Sequence, residues 1–517
     1  MRKLFYILAV AASCVLISCS KGKDNPTPVA QVVVEGEEDE VTESLKKAPG
    51  LVRIRKEVRS EDNGYLPGVP VYYAYFKQLV DHKDPSKGTF EHRVAITLPH
   101  PFKKGETDLN ILHTQGYNTA DKADGVYTTG FQLGQINEVE VEYRYFGTSL
   151  PEPFENLEFN YLSSEQQSWD LHTILSALKQ TDLFPGQWIS TGVSKNGITT
   201  ALYAYYDELN GWNDIDVYVP FCAPFITSLD NPSVGNYIEQ VALEDMPELR
   251  QRIFDIGRLV ADDSEAGANF RNEIIADLIA SGCDTSGMTE ESIKEYMCGL
   301  IHAYNTNIFE RLSYINIDDW RDFIPDLQNE YTSSEQLLFF LFASVGEFRQ
   351  AIYEQQLAKS SGGFEMSEER RKALLECRQQ SPSWPYQVQA VLELGTYIFP
   401  FNFLEGCSYI TKQDMLQWQE NNTSAAAYYP EYVSRYNGKM MADFLNNLNT
   451  TSKKMVFVYG GNDPWTGAAI PDSATNNPNV KKMIMPWGTH TDDLLSRDNW
   501  WNKGEEIVLA IDAFLDE

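Results

Sequence analysis

An α/β fold built on a mostly parallel sheet is the class this sequence predicts, and three observations predict it. Short apolar, β-branched runs recur along the first 220 residues and again at Met455 to Tyr459, the length of strands. From Ser163 onward strand-like and helix-like runs alternate, the pattern of a sheet with a parallel centre. The stretch from Trp188 to Leu202 reads as strand, tight turn and helix, with Gly192-Val-Ser-Lys-Asn-Gly197 at the turn. A serine at such an apex stands clear of the sheet, and the helix behind it aims free N–H groups and a positive dipole end at whatever lies beside the hydroxyl.

Taken from the start, Arg2 and Lys3 precede an apolar run from Leu4 to Ile17 that ends in Leu16-Ile-Ser-Cys19. A charged start, a short apolar core and a small residue before the break make an export signal, too short for a comfortable membrane span. The ending resembles a bacterial lipobox, which would make Cys19 the acylated first residue of the mature protein; Cys14 is a rival with a poorer local match. Residues 20–50 are polar, with Pro26, Pro28 and the acidic run Glu35 to Glu40, and are expected to be a flexible linker. The formal charge of −32 disfavours nucleic acid and anionic surfaces as partners. Five cysteines follow Cys19, an odd number; Cys283 and Cys298 are one candidate pair, and none shows metal-ligand spacing.

Past the linker, Val71 to Val80 and Thr89 to Pro99 read as strands joined by the turn at Asp84 to Gly88, and Asn110 to His113 as a third, ending in Thr114-Gln-Gly-Tyr117. Asn137 to Tyr145 alternates valine with charge. Ser163, with Gln166 at capping-box spacing, opens a helix with Leu171, Ile174, Leu175 and Leu178 on one face. Asp216 to Pro220 and Met455 to Tyr459 are further strands, and Ile507, Val508, Ile511, Phe514 and Leu515 stripe a closing helix. Between Pro224 and Lys453 long amphipathic runs replace the alternation. The expected division is a core of 51–227 and 451–517 with a mostly helical insertion, or cap, at 228–450; the run Leu337 to Val345 is too short to span a bilayer and suits that insertion's core.

A serine hydroxyl attacks only when a base takes its proton, and the base needs a carboxylate to fix its tautomer. In the α/β-hydrolase arrangement these come in the chain order Ser, Asp or Glu, His. Of seven histidines only His302 and His490 follow Ser194; His302 lies in a helical run, whereas His490 lies in the loop Pro486-Trp-Gly-Thr-His490, ahead of the last helix. Asp463, after the strand at Met455 and held out of helical geometry by Pro464, is the candidate carboxylate, with Asp472, Asp492 and Asp493 as rivals on spacing. An oxyanion site needs two donors: the amide of Lys195, directly after Ser194, and that of Gly116 or Tyr117 in the loop after the third strand. This chemistry requires no metal and no cofactor.

Together, Val141 to Pro151, Leu162 to His172, Gly192 to Gly197, Val219 to Pro224, Asn462-Asp-Pro-Trp465 and Gly488-Thr-His490 resemble serine peptidase family 37, and the Arg144-Tyr-Phe-Gly147 and Asp463-Pro-Trp465 segments also resemble the lysosomal Pro-Xaa carboxypeptidase family. The resemblance implies an α/β-hydrolase core with Ser194, Asp463 and His490 as its triad, and peptide substrates shortened from the N-terminus, with a possible preference for proline. The chain departs from that family's Ser-Lys-Gly-Gly at Asn196; asparagine tolerates a strained backbone better than most residues, so the turn is expected to survive. Arg144 and Tyr145 are expected to be structural. An esterase of the same fold and a non-catalytic peptide- or glycan-binding lipoprotein are the alternatives.

Overall fold

In a computed structural model, the structure describes residues 32–58, 68–99, 102–103, 105, 107–117, 136–153, 157–242, 244, 247–280, 288–312, 384–486, 488–490 and 504–517. Cys14, Cys19, Cys283, Cys377, Asp492, Asp493 and the run Leu337 to Val345 lie outside them.

Among the described residues ten strands form one sheet: β1 (Val33–Glu35), β2 (Leu51–Val58), β3 (Pro70–Leu79), β4 (Thr89–Thr97), β5 (Leu109–Thr114), β6 (Asn137–Val141), β7 (Gln187–Val193), β8 (Val217–Phe221), β9 (Lys454–Gly460) and β10 (Val480–Met485). Their order is β1-β2-β3-β4-β6-β5-β7-β8-β9-β10. From β6 to β10 every neighbouring pair is parallel, while β4 runs antiparallel to both β3 and β6. A parallel run entered through one reversed strand, with the order switching at β5 and β6, is the α/β-hydrolase core that the alternation predicts. β7 lies at the middle of the parallel run, so its C-terminal end opens where such sheets hold ligands.

Helix α1 (Glu40–Leu45) precedes β2. Helices α2 (Ser164–Leu178) and α3 (Lys195–Asn210) flank β7 in sequence. Ser163 caps α2 by accepting from the Gln166 N–H. The return half of that box does not form, because the Gln166 amide instead bonds Asp81 and the His82 N–H in the turn after β3. One face of α2 buries Leu171, Ile174, Leu175 and Leu178 against the sheet, as the spacing predicts. Val217, Val219 and Phe221 of β8 and Val456 and Val458 of β9 meet Ile507, Val508, Ile511 and Phe514 on the opposite side of the sheet.

The insertion contributes α4 (Ser233–Gln240), α5 (Pro247–Ala261), α6 (Glu265–Ala280), α7 (Glu290–Leu312), α8 (Trp384–Gln389) and α9 (Lys412–Asn422); α10 (Lys439–Asn447) follows it, and α11 (Gly504–Leu515) closes the fold. Phe254, Val260, Phe270, Met297, Ile301, Phe399, Phe401 and Ile410 give the insertion an apolar core of its own. His302 stands among the rings of Phe399, Phe401 and Trp418, which places it in that core and away from the mouth of β7.

Two boundaries differ from expectation. The segment 20–50 is not linker throughout: β1 pairs with β2, and α1 begins at a complete capping box between Asp39 and Thr42. Val41, Leu45 and Ala48 are buried in the main core, and Asp39 accepts from the Tyr72 hydroxyl at 2.7 Å and pairs with Lys56 at 2.7 Å. The acidic composition concealed two apolar residues four apart, enough for one helical face. At the other end, α10 packs Met440, Met441 and Phe444 into the main core beside Phe225 and Phe457, so the insertion ends before it and not at 450.

Among the described residues Cys222, Cys298 and Cys407 are buried free thiols. No helix of the described residues is long and apolar enough to cross a membrane.

Candidate active site

Ser194 joins β7 to α3 with φ 61° and ψ −124°, outside the regions a residue with a side chain ordinarily occupies. Its N–H donates to the Phe221 carbonyl at 2.9 Å, and its own carbonyl accepts from the Ile198 N–H as the first helical bond. The turn can be this tight only because of two glycines. A Cβ on Gly192 would stand 2.6 Å from the Asn196 carbonyl carbon, and one on Gly197 would stand 2.7 Å from the Phe221 oxygen. Asn196 is an ordinary helical residue absent from the strained positions, so the tolerance expected of asparagine is not called upon. Its side-chain amide donates to Gln115 in the loop after β5.

That loop meets the helix start directly. A Cβ on Gly116 would lie 2.3 Å from Lys195 Cγ and 3.1 Å from the Lys195 carbonyl carbon, so only glycine allows the two backbones to approach this closely. Thr114 Oγ1 donates to the Asn196 carbonyl at 2.7 Å, a second tie between β5 and α3. The first N–H groups of α3 have no intrahelical acceptor. The backbone of Gly116 is therefore brought against that of Lys195, the residue after Ser194, and the Tyr117 ring packs edge-on against Tyr386 from the insertion at 5.1 Å.

Asp463 and His490 come together from the loops after β9 and β10. His490 Nδ1 and Asp463 Oδ2 are 2.9 Å apart, and both side chains are buried. The other carboxylate oxygen accepts from the Trp465 N–H at 3.0 Å in the turn that Pro464 opens, so both oxygens are committed and the carboxylate is fixed. With Nδ1 on the carboxylate, the imidazole is held in one orientation. The rival Asp472 is exposed and pairs with Lys482 at 2.7 Å.

Sequence reasoning missed three residues around this pair. Trp465 lays its ring 4.4 Å from that of His490 and screens it. Tyr237, on α4 of the insertion, donates its hydroxyl to the Gly461 carbonyl at 2.8 Å and so braces the loop carrying Asp463. Cys222, with φ 47° at the end of β8, faces the Thr489 carbonyl at 3.9 Å, and its sulfur, an Asp463 oxygen and a His490 nitrogen all lie within 4.8 Å of one another. Since Cys222 follows Phe221, the residue that anchors the Ser194 N–H, the serine turn and the Asp463–His490 pair share one wall of the sheet. Of these, Trp465 and Cys222 lie in quoted motifs, Asn462 to Trp465 and Val219 to Pro224, whereas Tyr237 carries no local signal.

Arg144 and Tyr145 are structural, as expected. The Arg144 guanidinium is buried, pairs with both oxygens of Asp170 at 2.8 and 3.0 Å and donates to the carbonyls of Val80 and Tyr161. That pairing, with His82 donating to the same carboxylate, holds the Asp170 carboxyl down at about 2 against the cost of its burial. Tyr145 has φ 70° and accepts from the Tyr161 N–H at 3.1 Å.

Residues 40–256 match the model of the PS-10 peptidase S37 family. A prolyl tri/tetrapeptidyl aminopeptidase of Streptomyces mobaraensis is 31% identical over 214 residues, which are 41% of this chain and 40% of that enzyme. The stretch matched by the family model includes Ser194, Lys195, Gly116 and Arg144, and the chain spans about two-fifths of the length of the relative from Streptomyces mobaraensis. Among solved structures, the peroxisomal α/β-hydrolase Lpx1 of Saccharomyces cerevisiae is similar at 12% identity and a TM-score of 0.34, over 86% of this chain and 90% of that one. A variant of the rice cell wall degrading esterase LipA of Xanthomonas oryzae is similar at 12% identity and a TM-score of 0.35, over 87% and 91%. At those scores the fold assignment rests on the strand order itself.

Proposed function

We propose, from the match of residues 40–256 to the PS-10 peptidase S37 family as premise, that this chain is an exported serine exopeptidase that releases short peptides from N-termini. The observation that carries the reading is the Asp463–His490 hydrogen bond on the wall of the sheet that also anchors the Ser194 turn. In the reaction, Ser194 Oγ attacks the scissile carbonyl carbon while His490 Nε2 takes its proton, and Asp463 holds the imidazole and balances its charge. The tetrahedral oxyanion accepts from the amides of Lys195 and of Gly116 or Tyr117, each such donor being worth roughly 3 to 4 kcal/mol in the transition state. Collapse expels the amine, which takes the proton from His490; water then attacks the acyl-enzyme with His490 as base and frees the peptide and Ser194.

Tri- and tetrapeptide release with a preference for proline is proposed from the relative in Streptomyces mobaraensis, whose own name states that activity. The insertion, from 228 to the start of α10, bears on the site through Tyr237 and Tyr386, which supports a role in limiting how much of a peptide enters. Export and anchoring through Cys19, at the periplasmic face or the cell surface, are proposed from the sequence of residues 1–19. Membrane contact is then through the lipid anchor only, with peptides as the other partners.

The test is incubation of purified, anchor-free protein with a mixed peptide library, fragments being read by mass spectrometry. Loss of N-terminal tri- or tetrapeptides ending in proline is the expected outcome. Removal of C-terminal residues would overturn the polarity, and acetate release from acylated glycans without any peptide cleavage would replace the peptidase by an esterase.

A further inference from the structure

Lys195 contributes more to the site than its backbone amide. Its side chain is buried, and its ammonium rests on the ring of Tyr143, 3.8 Å from the centroid, and 3.4 Å from Thr199 Oγ1. The Lys195 stem fills the space where a Cβ on Gly116 would stand, directly beneath the loop that carries the second oxyanion donor. Any displacement of the ammonium is therefore passed to both donors at once.

The neighbours of Tyr143 lead out of the core and into the insertion. The Gln389 side-chain amide donates to the Tyr143 hydroxyl at 2.7 Å and to Glu393 Oε1 at 2.7 Å. Glu393 Oε1 also accepts from the N–H and hydroxyl of Ser164, at 2.7 Å each, at the start of α2. Gln389 ends α8, and Glu393 lies in the single π-helical turn Ala390–Leu394 that follows, a winding that recurs at functional sites. Burial pushes the Lys195 ammonium down to about 7, and Glu393 is the group that opposes the shift. Burial likewise pushes the Glu393 carboxyl up, against the pull of Gln389, Ser164 and Lys195. Each charge is costly alone in this interior, and each offsets the other.

We infer that Lys195 and Glu393 are coupled across Tyr143 and Gln389, and that the seating of segment 384–394 of the insertion thereby positions the oxyanion donors of the core. The Lys195 ammonium and Glu393 are positioning groups; neither meets the substrate. A core whose insertion is displaced at this segment keeps its nucleophile and loses transition-state stabilisation. The inference rests on the proposed role of Ser194 as nucleophile.

The test is a double-mutant cycle on the full, anchor-free chain with Glu393→Gln, Lys195→Met and the two combined, reading kcat, KM and the rate of Ser194 labelling by a fluorophosphonate. Glu393→Gln keeps the volume and an acceptor for Ser164 and removes only the charge. It is expected to lower kcat and the labelling rate about tenfold at unchanged KM, and to have no effect in the Lys195→Met background. Wild-type rates in Glu393→Gln, or an equal loss in both backgrounds, would overturn the pair. If Glu393→Gln alone does not fold, the combined variant decides: recovery of folding with the rates of Lys195→Met supports the pair, and failure to fold overturns it. Absence of Ser194 labelling in the wild type is a different result, and overturns the nucleophile assignment instead.

Discussion

At the scale of single residues, the site depends on close backbone approach, and Gly116 is its sharpest case. A methyl group there meets Lys195 Cγ at 2.3 Å, an atom near the backbone with little room to yield. Gly116→Ala is expected to lower kcat about a hundredfold, the cost of misplacing one oxyanion donor, and to destabilise the fold by roughly 1 to 3 kcal/mol through overpacking. Steady-state kinetics with a denaturant melt on the same preparation checks both; unchanged kcat would remove the loop after β5 from the site. The tight turn at Ser194 and the meeting of Asp463 with His490 are legible in the sequence because each of these residues sits on a loop with its own turn chemistry, in a fixed chain order. The side-chain role of Lys195 was not, because Glu393 stands about two hundred residues away and only folding brings it to Tyr143. Cys222 was counted among possible disulfide partners, and nothing next to it in the chain reveals that it faces the Asp463–His490 pair.

At the scale of elements, the strands and flanking helices of the core were readable wherever burial is strong on one face. β5, β7, β8 and β9 are buried along nearly their whole length, as strands covered on both sides must be, and β8 and β9 are the nearly continuous apolar runs among them. The first fifty residues show the converse. Acidic composition hid β1 and α1, whose signal is three strand residues and the buried pair Val41 and Leu45. A chain beginning at Leu51 is expected to be less stable than one beginning at Val32 by roughly 3 to 6 kcal/mol, the worth of burying Val41, Leu45 and Ala48. Urea melts of the two would show it, and coincident midpoints would return this segment to the linker. α10 was assigned to the insertion for the opposite reason: its amphipathic pattern is the same whichever core it faces, and only Phe225 and Phe457 show that it faces the sheet.

At the scale of the whole molecule, one sheet holds the Ser194 turn and the carboxylate–histidine pair, while among the described residues the insertion reaches the site at three points. Tyr237 braces the loop of Asp463, Tyr386 meets Tyr117, and Gln389 with Glu393 meets Tyr143 and Ser164. The α/β core was legible from alternation; how the insertion bears on the site was not, because those contacts join distant stretches whose local patterns are merely helical. The central claim is that Ser194 is a nucleophile activated by His490 and Asp463. Its most direct test is intact-mass and peptide-mapping analysis of the protein after treatment with a fluorophosphonate, alongside Ser194→Ala and Asp463→Asn. The account predicts one adduct, on Ser194, absent in Ser194→Ala and formed at least a thousandfold more slowly in Asp463→Asn, with peptide cleavage falling in parallel. An adduct elsewhere, or peptide cleavage that survives in Ser194→Ala, would contradict it.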